Sequence, residues 1–152
     1  MFPDILSHCE KYVYNPSNVP LSNGVRRMAD LNQYTPKFDY IQCCHVLEHC
    51  TNPHEIISNI IKLSHNNSIF YIEVPNDTSV NSYKVRFFLE HPVINKMFST
   101  ITGLSENRYR IMHEHINFFT IDSMMILMKT HGLDIKHILT KNDAICCLAI
   151  RK

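Results

Sequence analysis

Apolar and polar positions along this chain follow two rhythms, one helical and one alternating, and the switches between them outline the elements. Phe2, Ile5, Leu6 and Cys9 recur at helical spacing, with Pro3 acceptable in a first turn, and predict a short helix over 2–9. Lys11-Tyr-Val-Tyr14 is a β-prone run stopped by the turn formers Asn15-Pro16-Ser17-Asn18. Gly24 to Leu31 and Lys37 to Cys44 predict two further strands, the second apolar enough to be buried on both faces. Asn52 as N-cap, Pro53 in the first helical position and Glu55 in the first turn start a helix. Its apolar stripe is Ile56, Ile57, Ile60, Ile61 and Leu63, and Asn66-Asn67 is its expected stop. Ser68 to Pro75 is the most β-prone run of the chain and is closed by Pro75 and the loop Asn76-Asp77-Thr78.

Strand, helix and strand in succession make a βαβ unit, which implies parallel pairing with the helix on one face of the sheet. Sites in such sheets lie at the carboxyl ends of the strands. The stretches to watch are therefore Asn15 to Ser17, Ala29 to Leu31, Cys43 to His49 and Pro75 to Asp77. Residues 78–110 lose any clean period and read as an insertion or lid, with short helices near Tyr83 to Leu89 and Val93 to Thr100. Thr120 then caps a helix that turns Met124, Met125, Leu127 and Met128 to the core and stops at His131-Gly132. Leu133 to Thr140 and Ala144 to Arg151 form a closing hairpin around Lys141-Asn142-Asp143. The expectation is a single α/β domain over 1–152, with a mostly parallel twisted sheet, helices on both faces and an antiparallel C-terminal hairpin.

Composition narrows the function. Only 3 of the 152 residues are glycine, Gly24, Gly103 and Gly132, and no two stand close. A P-loop or a dinucleotide fingerprint cannot be built from them, since both need backbone packed against phosphate. Lys+Arg number 15 against 14 Asp+Glu, with no basic cluster beyond Arg26-Arg27, which gives no electrostatic footprint for nucleic acid. No segment approaches the ~20 apolar residues of a membrane span. Adjacent cysteines inside apolar runs, Cys43-Cys44 and Cys146-Cys147, suit buried thiols in a reducing compartment, so a cytoplasmic location is expected.

Ten histidines are the unusual feature, and they cluster. His45-Val-Leu-Glu48-His49 has the spacing of an inverted zinc metallopeptidase motif, with Glu48 as base. Thr51-Asn52-Pro53 interrupts the helix such a motif needs, and no third ligand is signposted beyond the carboxylates of Glu73 or Glu114. A zinc hydrolase is therefore the lesser reading, and no metal site is assigned. In the second cluster, His113-Glu114-His115-Ile116-Asn117, an extended backbone would turn His113 and His115 to one side. Such imidazoles suit general bases at neutral pH, or simply hydrogen bonds that tie the insertion to the sheet.

Taken in order, four motifs carry a family resemblance. They are Phe38-Asp-Tyr-Ile41; His45-Val-Leu-Glu-His49 with Asn52-Pro53; Tyr71-Ile-Glu-Val-Pro-Asn76; and His115-Ile-Asn-Phe-Phe-Thr120 with Ser123-Met124 and Gly132. The arrangement resembles a class I S-adenosylmethionine-dependent methyltransferase of the branch found with sugar and surface-polysaccharide biosynthesis. The resemblance implies a Rossmann-like fold and S-adenosylmethionine as cofactor, lying across the carboxyl ends of the first strands. It places Asn15 at the ribose hydroxyls, Asp30 by the adenine, and Cys43, Cys44 and His45 along the methionine part. Asn15 stands where the family has a carboxylate, and an amide lacks its charge. For methyl transfer it offers His115 and His113 as bases, with His45 near the methionine end, and leaves Glu48 and His49 to brace the strand-to-helix turn.

The resemblance starts just past the family's Gly-rich loop, because Phe2-Pro3-Asp4-Ile5-Leu6 is similar to the helix that follows that loop. It implies an N-terminally truncated member without the first strand, whose activity would suffer; a non-catalytic remnant that serves as a binding module is the alternative. Expected partners are a small-molecule or sugar-linked acceptor, with a homo-oligomer or a complementing chain to complete the sheet, and neither nucleic acid nor a membrane.

Overall fold

The computed structural model describes residues 8–14, 19–31, 37–76, 96, 100 and 115–152. Their strands form two sheets. In the smaller, β1 (Lys11–Tyr14) and β2 (Val25–Met28) pair in parallel. The larger is built from β3 (Phe38–Cys44), β4 (Ser64–Pro75), β5 (Leu133–Lys141) and β6 (Ala144–Arg151), in the order β3-β4-β6-β5. Helix α1 (Pro53–Lys62) crosses over between β3 and β4, which pair in parallel as the βαβ pattern requires. Helix α2 (Ile121–Thr130) precedes the hairpin.

The expectation of a mostly parallel sheet is corrected to a mixed one. β6 pairs antiparallel with both β4 and β5. The cause is local: Asn142 and Asp143 both have positive φ, 49° and 60°, and form a two-residue turn that sends the chain straight back, whereas a parallel return needs a crossover. Helices on both faces are likewise not seen among the described residues. Phe70, Ile72 and Val74 of β4 lie beside Ala149, Cys147 and Ile145 of β6 on one face of the sheet. Ile57 and Ile60 of α1 and Met124, Leu127 and Met128 of α2 all join that same buried cluster. Met125, expected in the core, is only half-buried.

The helix starts follow the sequence signals. The Asn52 side chain accepts from Glu55 N, and Thr120 and Ser123 cap α2 reciprocally. The end of α1 differs from expectation. It stops at Lys62, and β4 begins at Ser64 rather than Ser68. Arg151 donates to the carbonyls of Ile61 and Ser64, and Ser68 Oγ accepts from His65 N while donating to Phe38 O. These bonds hold Asn66-Asn67 inside an irregular first part of the strand, with Asn67 at φ 72°. The helix expected over 2–9 falls largely outside the described residues, as does the stretch 78–110 apart from Lys96 and Thr100.

Candidate functional site

The carboxyl end of β3 leads directly into the histidine cluster. His45 takes a left-handed backbone conformation, φ 53°, which side chains with a Cβ seldom adopt, and its N–H donates to the Glu73 carbonyl at 3.0 Å. This bend sets the imidazole between two carboxylates. Nδ1 lies 3.3 Å from Glu48 Oε1 and Nε2 lies 3.2 Å from Glu73 Oε1. Both ring nitrogens of His45 are thus engaged. Glu73 Oε2 accepts from Tyr71 Oη at 2.5 Å, and Cys146 Sγ stands 3.8 Å from that oxygen.

Leu47–His49 forms a single 3-10 turn, and Cys50 beyond it is extended. His45 and His49 therefore do not share a helical face, and the metallopeptidase arrangement that their spacing suggested is not formed. The turn instead buries Glu48. Its side chain is 0% exposed, with Oε1 3.9 Å from His49 Nε2 and Oε2 lacking any hydrogen-bond partner.

The segment that begins at His115 is stitched onto this turn. The Glu48 carbonyl accepts from Ile116 N at 2.7 Å and from Asn117 N at 3.0 Å. The Asn117 side-chain amide donates to Leu47 O at 2.9 Å and to Cys50 O. Buried Phe119 and its parallel bridge to Asn76 fix the segment against the end of β4. The result brings His115 beside His49, with ring centroids 4.9 Å apart and planes at 72°. Ligand atoms of Glu48, His49 and His115 all lie within 4.8 Å of one another.

The other residues singled out by sequence divide clearly. Asn15 and His113 lie outside the described residues. Asp30 is half-buried just past the end of β2. Cys43 points into the core, where burial above all pushes its thiol up to about 12, so anything it offers a ligand comes from its main chain. Cys44 points to the opposite face, where Gln42 Nε2 donates to its sulfur at 3.2 Å. Burial raises that thiol as well. Sequence reasoning gave Glu48 and His49 a bracing role, or a lesser one in a zinc motif with His45, and overlooked their meeting with His115. It placed Cys43 to His49 at the carboxyl end of a strand but assigned the His113 to His115 stretch to no strand end, so nothing joined the two.

The family model described as "Methyltransferase domain" matches residues 5–138. This chain belongs to that methyltransferase domain family. Solved structures agree with the assignment at the level of fold. A SAM-dependent methyltransferase from Thermotoga maritima superposes with a TM-score of 0.59 at 13% identity, over 93% of this chain and 73% of its own. The complex between the Haloferax volcanii Trm112 methyltransferase activator and a protein assigned as a methyltransferase gives 0.60 at 9% identity, over 97% and 76%. An O-methyltransferase family protein from Burkholderia thailandensis gives 0.55 at 13% identity, and the methyltransferase domain described here spans only 36% of its length. No curated protein matches the chain. No helix among the described residues is long and apolar enough to cross a membrane.

Proposed function

We propose that this methyltransferase domain binds S-adenosylmethionine across the carboxyl ends of β1, β2 and β3 and transfers its methyl group to a small or sugar-linked acceptor. The observation that carries the reading is the placement of His115 against the turn that follows β3. In this reading the His115 imidazole lies beside the strand end that would take the cofactor's methionine part and can serve as the base. In this reading Asn15 holds the ribose, Asp30 borders the adenine, and Cys43 to His45 line the methionine. The acceptor's lone pair attacks the methyl carbon in line, the carbon–sulfur bond breaks, and its electron pair stays on the now neutral sulfur. His115 takes the acceptor's proton, with His113 as its near neighbour in sequence. His45, with both nitrogens facing carboxylates, orients rather than accepts. The order of the sequence motifs supports an acceptor of the sugar-linked class.

Isothermal titration with S-adenosylmethionine tests the first half, and absence of heat at millimolar cofactor would overturn it. For the second half, His115→Ala is expected to slow transfer by roughly 10²-fold or more, the usual worth of a positioned base, with cofactor binding nearly unchanged. Unaltered turnover would remove His115 as the base.

A further inference from the structure

We infer that Glu48, His49 and His115 form a binding site for a divalent transition-metal ion of the zinc type. Three observations converge on it. Two imidazoles and one carboxylate present ligand atoms within 4.8 Å of one another. That donor set, two nitrogens and one oxygen, is the kind that holds zinc at sites with an open coordination position. Second, the Glu48 carboxylate is 0% exposed, and its Oε2 has no hydrogen-bond donor. A carboxyl oxygen taken out of water without a partner is costly, and a bound cation supplies the missing partner. Third, the site is held from both sides by backbone. Ile116 N, Asn117 N and the Asn117 amide lock the segment carrying His115 onto the turn carrying Glu48 and His49.

The geometry needs only a small adjustment. Metal–ligand bonds of about 2.0–2.2 Å in a tetrahedral site bring donors to roughly 3.4 Å from one another, so ligand atoms now within 4.8 Å close in by at most about 1.4 Å. His49 is exposed and His115 half-buried, so neither ring is packed into the core, while Glu48 is fully buried. His45 completes the surroundings. Its Nδ1 faces Glu48 Oε1 at 3.3 Å and orients the carboxylate, as outer partners of metal ligands commonly do. Three protein donors leave room for water or for an oxygen of the acceptor. That last role rests on the methyl-transfer reading and would displace His115 as its base, since an imidazole nitrogen bound to a metal cannot take a proton; metal binding itself does not rest on that reading.

The test is a titration of the tag-free, chelator-treated chain with Zn2+ alone, followed by visible absorption of the Co2+-loaded protein, whose bands report nitrogen and oxygen ligation. One ion per chain is expected. Glu48→Gln, His49→Gln and His115→Gln should each weaken binding by more than about tenfold and alter the Co2+ spectrum. His131→Ala, at the His54–His131 pair outside this cluster, should leave both unchanged. If Glu48→Gln does not fold, as judged by circular dichroism, the two histidine variants decide the matter. No stoichiometric binding, or binding unaffected by His49→Gln and His115→Gln, overturns the inference. Metal bound without any heat from S-adenosylmethionine would remove the methyl-transfer reading and leave the metal site standing.

Discussion

His115 stands edge-on to His49, ring centroid 4.9 Å from ring centroid, because the Asn117 amide reaches back to the carbonyls of Leu47 and Cys50. One side chain thereby welds a distant segment to the turn that ends β3. Asn117→Ala leaves two partly buried carbonyls without that donor, and a lost buried hydrogen-bond partner costs ~1–3 kcal/mol. Chemical denaturation of the variant should show that loss. An unchanged midpoint would mean that the Ile116 and Asn117 backbone bonds hold the segment unaided.

The β5–β6 turn sets the antiparallel half of the sheet. Asn142 sits at φ 49°, where asparagine is tolerated and a β-branched residue is strained. Asn142→Val is expected to destabilise the fold by about 1–2 kcal/mol, the cost of the left-handed region for an ordinary side chain. A thermal melt no lower than wild type would contradict the turn assignment.

Phe70 is 0% exposed at the centre of β4, with helices and β6 around it in one cluster. Phe70→Ala removes the largest fully buried side chain of that cluster and should cost ~3–5 kcal/mol, read from the shift in urea midpoint. A shift below half of that would indicate that the core collapses into the space.

Of the six cysteines, Cys43 and Cys147 are the buried ones, and burial pushes their thiols up to about 12 and about 11. Thiols held protonated and covered are poor nucleophiles. With an aromatic disulfide reagent near neutral pH, these two should react only on unfolding, while exposed Cys9 reacts at once. Mass mapping of labelled peptides checks which thiols respond.

His131 caps the end of α2, and its Nε2 lies 3.0 Å from His54 Nδ1. Burial first, and then the neighbouring imidazole, lower its pKa. Protons therefore bind the unfolded chain more readily at this position. The contribution is fully present above the ordinary histidine value of ~6.5 and is lost as pH falls through the depressed folded value. His65 acts in the opposite sense: its hydrogen bonds to the Asn66 carbonyl and to Asp39 raise its pKa, and its contribution fades as pH rises. The comparison between variants isolates the first effect. Between about pH 5.5 and 7.5, His131→Gln should lose less Tm on acidification than wild type. Equal losses would dismiss the pair as a source of pH dependence.

Much of this fold is local chemistry and so could be read from residues alone. Asn52-Pro53 and Thr120-Ile-Asp-Ser123 start helices by capping, and Asn142-Asp143 turns the chain within two residues. What could not be read depends on distant partners. The early start of β4 is held by Arg151 from the other end of the chain. The left-handed bend at His45 exists because Glu48 and Glu73 wait on either side of its ring. The meeting of His49 and His115 depends on the Asn117 amide, and no periodicity in either segment encodes it. Spacing within His45-Val-Leu-Glu48-His49 suggested a helical pair, but a 3-10 turn followed by extended Cys50 gave the same residues another geometry.

The division of the strands into two sheets gives the molecule a seam. β1 and β2 hydrogen-bond to each other, and among the described residues a ring contact of Tyr12 on Phe38, with centroids 5.4 Å apart, links them to the larger sheet. A two-stranded ribbon has little stability of its own in water. Asp30 lies on one bank of the seam, and His45 with its carboxylates on the other. A molecule that touches both banks acts as a clasp, and its binding energy is added to the stability of the closed form. Local unfolding along this line would separate the two groups of proposed cofactor contacts before it reached the core around Phe70.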